Sequence, residues 1–214
     1  MLKKLRAYLR YEQKKHWHRM ATSYFETGST ILDVGCGVGY FLQHVEGSTV
    51  VGLDWNPQNL AEAEEVASRA IEGDARSIPM DDLSVDGIHC SHLIEHFEPA
   101  DVHQILREMD RVLRPGGVLV IRSPCLWSGF YDNLTHVRPY HPQAIRRYLC
   151  AGWEQQSLGP VEGRYREKNL HWRYKPLHLG IPLLDGFLTM LNRWGFPWWT
   201  ITGYMLVLRK VEEA

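Results

Sequence analysis

The chain has 214 residues, 44% of them hydrophobic, and a formal net charge of -1, which is enough for one sizeable core and too balanced for a partner selected by bulk charge. Its cysteines, Cys36, Cys90, Cys125 and Cys150, form no CxxC pair, which excludes a zinc ribbon and a disulfide framework. No apolar run reaches the roughly eighteen residues of a membrane-spanning helix, so the chain reads as a single cytoplasmic domain over residues 1–214, soluble or peripheral to a membrane.

Residues 1–25 mix basic and aromatic side chains without Gly or Pro, which predicts a helical N-terminal lid segment. Its cations, from Lys3 to Arg19, are opposed by the lone acid Glu12, a pattern that fits either a solvated helix face or contact with an anionic surface. Ile31–Val34 then reads as a buried strand, followed by a glycine turn and the start of a helix at Tyr40–Val45. Val50–Leu53 is a second strand closed by Asp54, and Pro57 opens a helix with Leu60, Ala63, Val66 and Ala67 on its buried side. Short strands are expected at Ala70–Ile71 and Val85–Cys90.

Pro99 opens the most regular helix, with Val102, Ile105, Leu106, Met109, Val112 and Leu113 at the helical period. Arg114-Pro115-Gly116-Gly117 stops it, because proline lacks the amide and glycine accepts a left-handed turn. Val118–Ile121 begins the next strand. Pro142–Leu149 is a further helix, Glu154–Leu158 a strand, and Tyr204–Leu208 the centre of a last strand within residues 201–210. Residues 159–200 stand apart as an aromatic insertion, with "IPLLDGFLTML" at a helical period. Strands alternating with helices through short connections require right-handed crossovers and an α/β, doubly wound, mostly parallel sheet.

In such a sheet the ligand crevice lies beyond the carboxyl ends of the strands, and the first strand-to-helix turn brings backbone closest to ligand. "ILDVGCGVGYF" fits that turn: Gly35, Gly37 and Gly39 permit positive φ and remove the Cβ atoms that would hold a ligand away. Asp54 closes the second strand, where an acid accepts hydrogen bonds from ribose hydroxyls. The spacing is G-x-G-x-G rather than the dinucleotide-type G-x-G-x-x-G, and Asp33 lies just upstream, where its charge favours a cationic ligand over a pyrophosphate. Gly73-Asp74-Ala75 supplies a further acid after the third strand.

These segments, ILDVGCGVG, VVGLD, EGDA, VDGIHCSHLIEH and VLRPGGVLVI in that order, resemble the class I S-adenosylmethionine-dependent methyltransferases, in particular the ubiquinone- and menaquinone-type group. The resemblance runs from about Ile31 to Trp153, within a cofactor-binding core over residues 31–158. It implies a Rossmann-like, seven-stranded sheet with an antiparallel last strand, and S-adenosyl-L-methionine as cofactor. It implies too that Gly35, Cys36, Gly37 and Gly39 line the methionine and ribose part, with Asp33 near the amino group. Asp54 would hold the ribose hydroxyls, Trp55 pack on adenine, Asp74 and the Ala75 amide read the adenine edge, and Ser91 and His92 lie near the methionine end.

The methyl of a sulfonium is already activated, so a transferase mainly aligns an acceptor and excludes water. A hydroxyl acceptor gains from a base, for which histidine is suited. "YDNLTHVRPYHP", residues 131–142, follows the fifth strand on the ligand side. Its THVRP resembles a segment of methyltransferases of polysaccharide and lipopolysaccharide biosynthesis. On that resemblance His136 is the expected general base or acceptor-orienting residue, Arg138 an anchor for a phosphate or carboxylate, and His92 a further catalytic candidate. The other readings are that His136 caps the next helix and Arg138 bridges to a core acid. No metal ligand set is expected, because no single helix spaces His89, His92 and His96.

The expected activity is methyl transfer to a small-molecule or glycan- or lipid-linked acceptor, with oxygen favoured. The insertion, rich in Trp and Tyr, covers the acceptor pocket, packs on the sheet as a core helix, or meets a membrane through "RWGFPWW" and the basic N-terminal segment. A noncatalytic cofactor-binding module and a nicotinamide oxidoreductase are the competing classes. Nucleic acid is disfavoured as acceptor, since "SHLIEH" stands where an NPPY-like tetrapeptide would follow the fourth strand.

Overall fold

The computed structural model describes residues 16–150, 158, 159, 161, 163–176, 182–193 and 199–211. Its strands are β1 (Thr30–Val34), β2 (Thr49–Asp54), β3 (Arg69–Glu72), β4 (Val85–Ser91), β5 (Leu113–Pro124), β6 (Tyr165–Pro176) and β7 (Trp199–Lys210). The helices are α1 over the described residues 16–22, α2 (Pro57–Ala63), α3 (Pro99–Val112), α4 (Pro142–Leu149) and α5 (Pro182–Arg193). The strands form one seven-stranded sheet in the order β3-β2-β1-β4-β5-β7-β6. β1 to β5 pair in parallel, and β7 inserts antiparallel between β5 and β6. The chain direction of strand addition reverses between β1 and β4, which is where a doubly wound sheet opens a crevice.

Strand residues alternate between two cores, as the pleat requires. Leu32, Val34, Ile88, Cys90, Leu119 and Ile121 join Ile105, Leu106 and Met109 of α3 on one face. Ile31, Val50, Val120, Met205 and Val207 face the other way, against Leu60 and Ala63 of α2 and, less buried, Trp17 and Met20 of α1. This second face matters most for the site, because Asp33, His89 and Arg122 share its parity on β1, β4 and β5.

Several boundaries differ from the sequence reading. Tyr40–Val45 contributes only a 3-10 turn, Leu42–His44. α3 ends at Val112, just before Arg114-Pro115-Gly116-Gly117, and those residues belong to β5, where the register with β4 shifts between Val85 and Gly87 and Gly116 takes φ 78. Of the strand expected at Glu154–Leu158, residues 154–157 lie outside the described residues, as do residues 1–15 of the N-terminal segment and "WGFPW" of the Trp-rich turn. The sixth strand is Tyr165–Pro176, and it falls inside the segment read as an insertion. The last strand begins at Trp199, earlier than expected.

Candidate active site

Two cavities open beyond the carboxyl ends of β1, β2 and β4, and Gly35 lines both. The smaller, about 200 Å³, lies beneath α1, with Asp33, Cys36, His89, Ser91, His92, Arg122 and Arg173 among its walls. The larger, about 460 Å³, is bounded by Asp54, Trp55, Asp74, Ala75, Leu93, His96 and Thr135.

The first-turn glycines divide their work. A Cβ on Gly35 would meet Leu93 Cδ1 at 2.8 Å and one on Gly39 would meet Val66 Cγ2 at 2.8 Å, whereas one on Gly37 would stand in open space. All three take positive φ. Gly39 therefore serves the packing of the turn against the segment after α2. The Gly37 amide donates to Asp54 Oδ2 at 2.8 Å, and the Asn56 amide to Oδ1 at 2.9 Å. Asp54 is thus buried, 7% exposed, and fixed with its carboxylate edge in the larger cavity. Trp55 beside it is 77% exposed, so its indole face is free. Asp74 lines the same cavity, but Arg76 grips its carboxylate through Nε and Nη2, the latter at 2.7 Å, and holds it below the usual carboxylate range.

In the smaller cavity His89 donates from Nδ1 to Asp33 Oδ1 at 2.7 Å, with its ring stacked on Phe41 at 3.8 Å. Burial depresses the His89 pKa despite the adjacent carboxylate, so the imidazole is neutral and its buried Nε2 is an acceptor without a hydrogen-bond partner. Arg122 is 6% exposed and lies over the Trp17 ring at 5.5 Å, with Nη1 at 3.4 Å from His18 Nδ1. Burial first, then Arg122, lowers the His18 pKa to about 3. Burial and the neighbouring Arg173 bring the Arg122 guanidinium down to about 10. No carboxylate among the described residues lies within ion-pair distance of Arg122 or Arg173. Cys36 is no nucleophile, since burial pushes its thiol up to about 12.

The loop from β5 to α4 is laced to the turn after β4. The Val137 amide donates to the Glu95 carbonyl at 2.9 Å, His96 Nδ1 to the Thr135 carbonyl at 2.9 Å, and Tyr140 Oη to the Phe97 carbonyl at 2.8 Å. His136 donates from Nδ1 to the Phe130 carbonyl at 2.7 Å and so does not cap α4, a task His141 performs. Its ring meets that of His96 at 5.0 Å, and with Glu95 the three bring ligand-type atoms within 4.8 Å of one another. His92, at φ 56, donates from Nδ1 to Glu95 Oε1 at 3.0 Å. Arg138 is exposed, with its guanidinium over Tyr140 at 5.6 Å, and borders neither cavity.

The sequence reading missed Trp17, His18, His89, Glu95, Arg122 and Arg173. Arg122 carried a signal, a lone cation closing the apolar run Val118–Ile121, and His89 another, a polar residue inside a buried strand. Arg173 carried none, because its strand was not recognised.

Residues 32–121 match the family model described as a methyltransferase domain. The malonyl-[acyl-carrier protein] O-methyltransferase of Yersinia pestis is 36% identical over 127 residues, 57% of this chain and 46% of that protein. The phthiotriol/phenolphthiotriol dimycocerosates methyltransferase of Mycobacterium leprae is 34% identical over 114 residues, 48% of this chain and 40% of that protein. The chain spans about half the length of the curated relatives it matches. A crystal structure of a SAM-dependent methyltransferase from Archaeoglobus fulgidus superposes with a TM-score of 0.68 at 22% identity, covering 93% of this chain and 94% of that one. Residues 32–121 are thus similar in sequence to methyltransferase domains, and the chain shares its fold with a solved SAM-dependent methyltransferase.

Proposed function

We propose that the protein transfers the S-adenosylmethionine methyl group to a hydroxyl oxygen of a small-molecule or glycan- or lipid-linked acceptor. The observation that carries the cofactor half is the pair of cavities meeting at Gly35. One presents Asp33, the orphaned His89 Nε2 and two guanidinium groups with no carboxylate among the described residues within ion-pair distance, which together complement a zwitterionic amino acid. The other presents the Asp54 carboxylate and the open Trp55 indole, which complement ribose hydroxyls and a purine face. A methionine end in the first and an adenosine end in the second set the sulfonium beside Gly35, with Ser91 and Leu93 to either side. The empty side of Gly37 leaves room for that chain. Asp74 accepts from the adenine edge through the lone pairs that Arg76 leaves, and the Ala75 amide donates to it.

In the transfer, a lone pair of the acceptor oxygen forms the new O–C bond while the C–S bond breaks and its electron pair passes to sulfur. The hydroxyl proton leaves toward the Glu95, His96 and His136 cluster and from there to solvent. The products are a methyl ether or ester, S-adenosylhomocysteine and a proton. Oxygen is supported by the two imidazoles whose Nδ1–H groups are spent on carbonyls, leaving both Nε2 lone pairs to take a proton, with His96 at the wall of the larger cavity. Arg138 serves an acceptor phosphate or carboxylate at the rim. Leu183, Phe187 and Met190, exposed at i, i+4 and i+7 of α5, support an acceptor with an apolar part or a lipid surface.

Calorimetric titration with S-adenosylhomocysteine, together with a tritiated-methyl transfer assay on hydroxylated acceptors, tests this reading. Asp54→Ala is expected to weaken binding by about tenfold or more, as loss of a charged hydrogen-bond acceptor does. His136→Ala is expected to bind normally and lose turnover. Equal loss of binding and turnover in His136→Ala contradicts its acceptor-side role, and firm binding without transfer to any acceptor points to a noncatalytic module.

A further inference from the structure

We infer that Glu95, His96 and His136 form a site for a first-row divalent cation of the zinc class, at the acceptor side of the cofactor crevice. The site itself rests on the geometry of these side chains; its use in catalysis rests on the hydroxyl-acceptor reading above. The histidines weighed from sequence, His89, His92 and His96, are not the set that folding assembles. His89 is turned to the α1 side and committed to Asp33, whereas the β5–α4 loop brings His136 to His96.

Both imidazoles are prepared as ligands. Each donates Nδ1–H to a backbone carbonyl, His96 to Thr135 and His136 to Phe130, which fixes the tautomer and leaves the Nε2 lone pair free. Glu95 gives the independent observation. It is fully buried, 0% exposed, and its carboxylate accepts from His92 Nδ1 at 3.0 Å and from Ser123 Oγ at 3.3 Å. No Lys or Arg among the described residues lies within ion-pair distance of it. A buried carboxylate without a fixed cation is costly, and a metal ion supplies the missing charge. His92 keeps the carboxylate aimed from a left-handed backbone, φ 56, a strain that a folded chain retains where geometry is under demand.

The three ligand-type atoms lie within 4.8 Å of one another. Ligands at about 2.0–2.2 Å from a shared tetrahedral ion stand about 3.3–3.6 Å apart, so the widest pair closes by up to about 1.5 Å on binding. Two imidazoles and one carboxylate suit Zn²⁺, Co²⁺ or Fe²⁺ better than Mg²⁺ or Ca²⁺. His96 lines the larger cavity, and His92, which holds Glu95, lines the smaller, so the ligand set borders both cavities. With coordination positions left open the cation lowers the pKa of the acceptor hydroxyl, whose proton then passes to water. His136 on this account positions the acceptor through the ion.

The test uses the full chain freed of metal by chelation. Titration with Zn²⁺ by calorimetry, and with Co²⁺ by visible absorption, is expected to show one equivalent bound, with bands of nitrogen ligation. His96→Ala and His136→Ala are expected to weaken binding by at least about tenfold, with circular dichroism unchanged in both and S-adenosylhomocysteine affinity unchanged in His136→Ala. Glu95→Gln should act likewise; because Glu95 is buried and that variant can fail to fold, the two histidine variants decide the matter. Absence of Zn²⁺ and Co²⁺ uptake by the wild type, or uptake unaffected in both histidine variants, overturns the site. Transfer to a hydroxyl that survives chelation would leave the oxygen reading intact and remove the ion. Metal bound at these residues with the methyl found on nitrogen or carbon would do the reverse.

Discussion

At the scale of single residues, Gly37 and Gly39 show how one motif can hold two unrelated requirements. Both sit at positive φ, where an alanine costs about 1–2 kcal/mol. Only Gly39 is also pressed by neighbours, Val66 Cγ2 at 2.8 Å and Ala63 Cα at 3.3 Å. Gly39→Ala is therefore expected to lose about 3 kcal/mol of stability, the strain plus a packing clash. Gly37→Ala is expected to fold with a smaller loss and to bind S-adenosylhomocysteine poorly, since its Cβ enters open space and its amide holds Asp54. Urea unfolding of both variants beside calorimetry separates the two; equal stability losses would contradict the division.

At the scale of elements, the helices that carry a closed apolar stripe between clear stops were readable, and the polar edge strand was not. α4 runs from Pro142 to Leu149, bounded as expected, because His141 caps it and Ile145 and Leu149 are buried. β6 has the sequence YREKNLHWRYKP and lies at the sheet edge, its ladder made with β7 and its first residue bridged to Cys150. Charged side chains on an edge strand guard against further pairing and erase the apolar run that announces a strand. α5 departs from the usual rule in the opposite sense, with Leu183 88% exposed and Phe187 51% exposed. If that face meets lipid, the wild type should cosediment with phosphatidylglycerol–phosphatidylcholine vesicles and Leu183→Glu/Phe187→Glu should remain in the supernatant. Identical sedimentation of the two proteins would remove the lipid role of α5.

At the scale of the whole molecule, the site's electrostatics set a pH limit on folding. His18 and His89 are held neutral, with folded pKa values below the ordinary 6.5 of the unfolded chain. The unfolded state therefore binds more protons once the pH drops below about 6.5, and each histidine can lower the folding constant by up to about tenfold per pH unit there. The lowered carboxylates Asp74, Asp86 and Glu108 add their own loss further down, near and below their ordinary pKa of about 4. The urea midpoint should thus decline between pH 6.5 and 4.5, before those carboxylates titrate, and His18→Asn should flatten the decline. A midpoint constant over that interval would show that the two rings are not neutral in the folded state.

The local code of this chain determined the elements whose causes are local. Asp33, Gly35, Gly37 and Asp54 stand at strand ends, and apolar periodicity and turn chemistry place strand ends without any knowledge of neighbours. The cofactor half of the crevice follows from them. The acceptor half depends on contacts between segments far apart in the chain. His136 meets His96 only because the β5–α4 loop hangs its amides on the Glu95 carbonyl, and Arg122 meets Arg173 only because β7 turns β6 back along the sheet. Burial then decides what each group is, since the same desolvation that leaves His89 neutral draws down the Arg122 guanidinium, and no window of sequence contains the walls that do it.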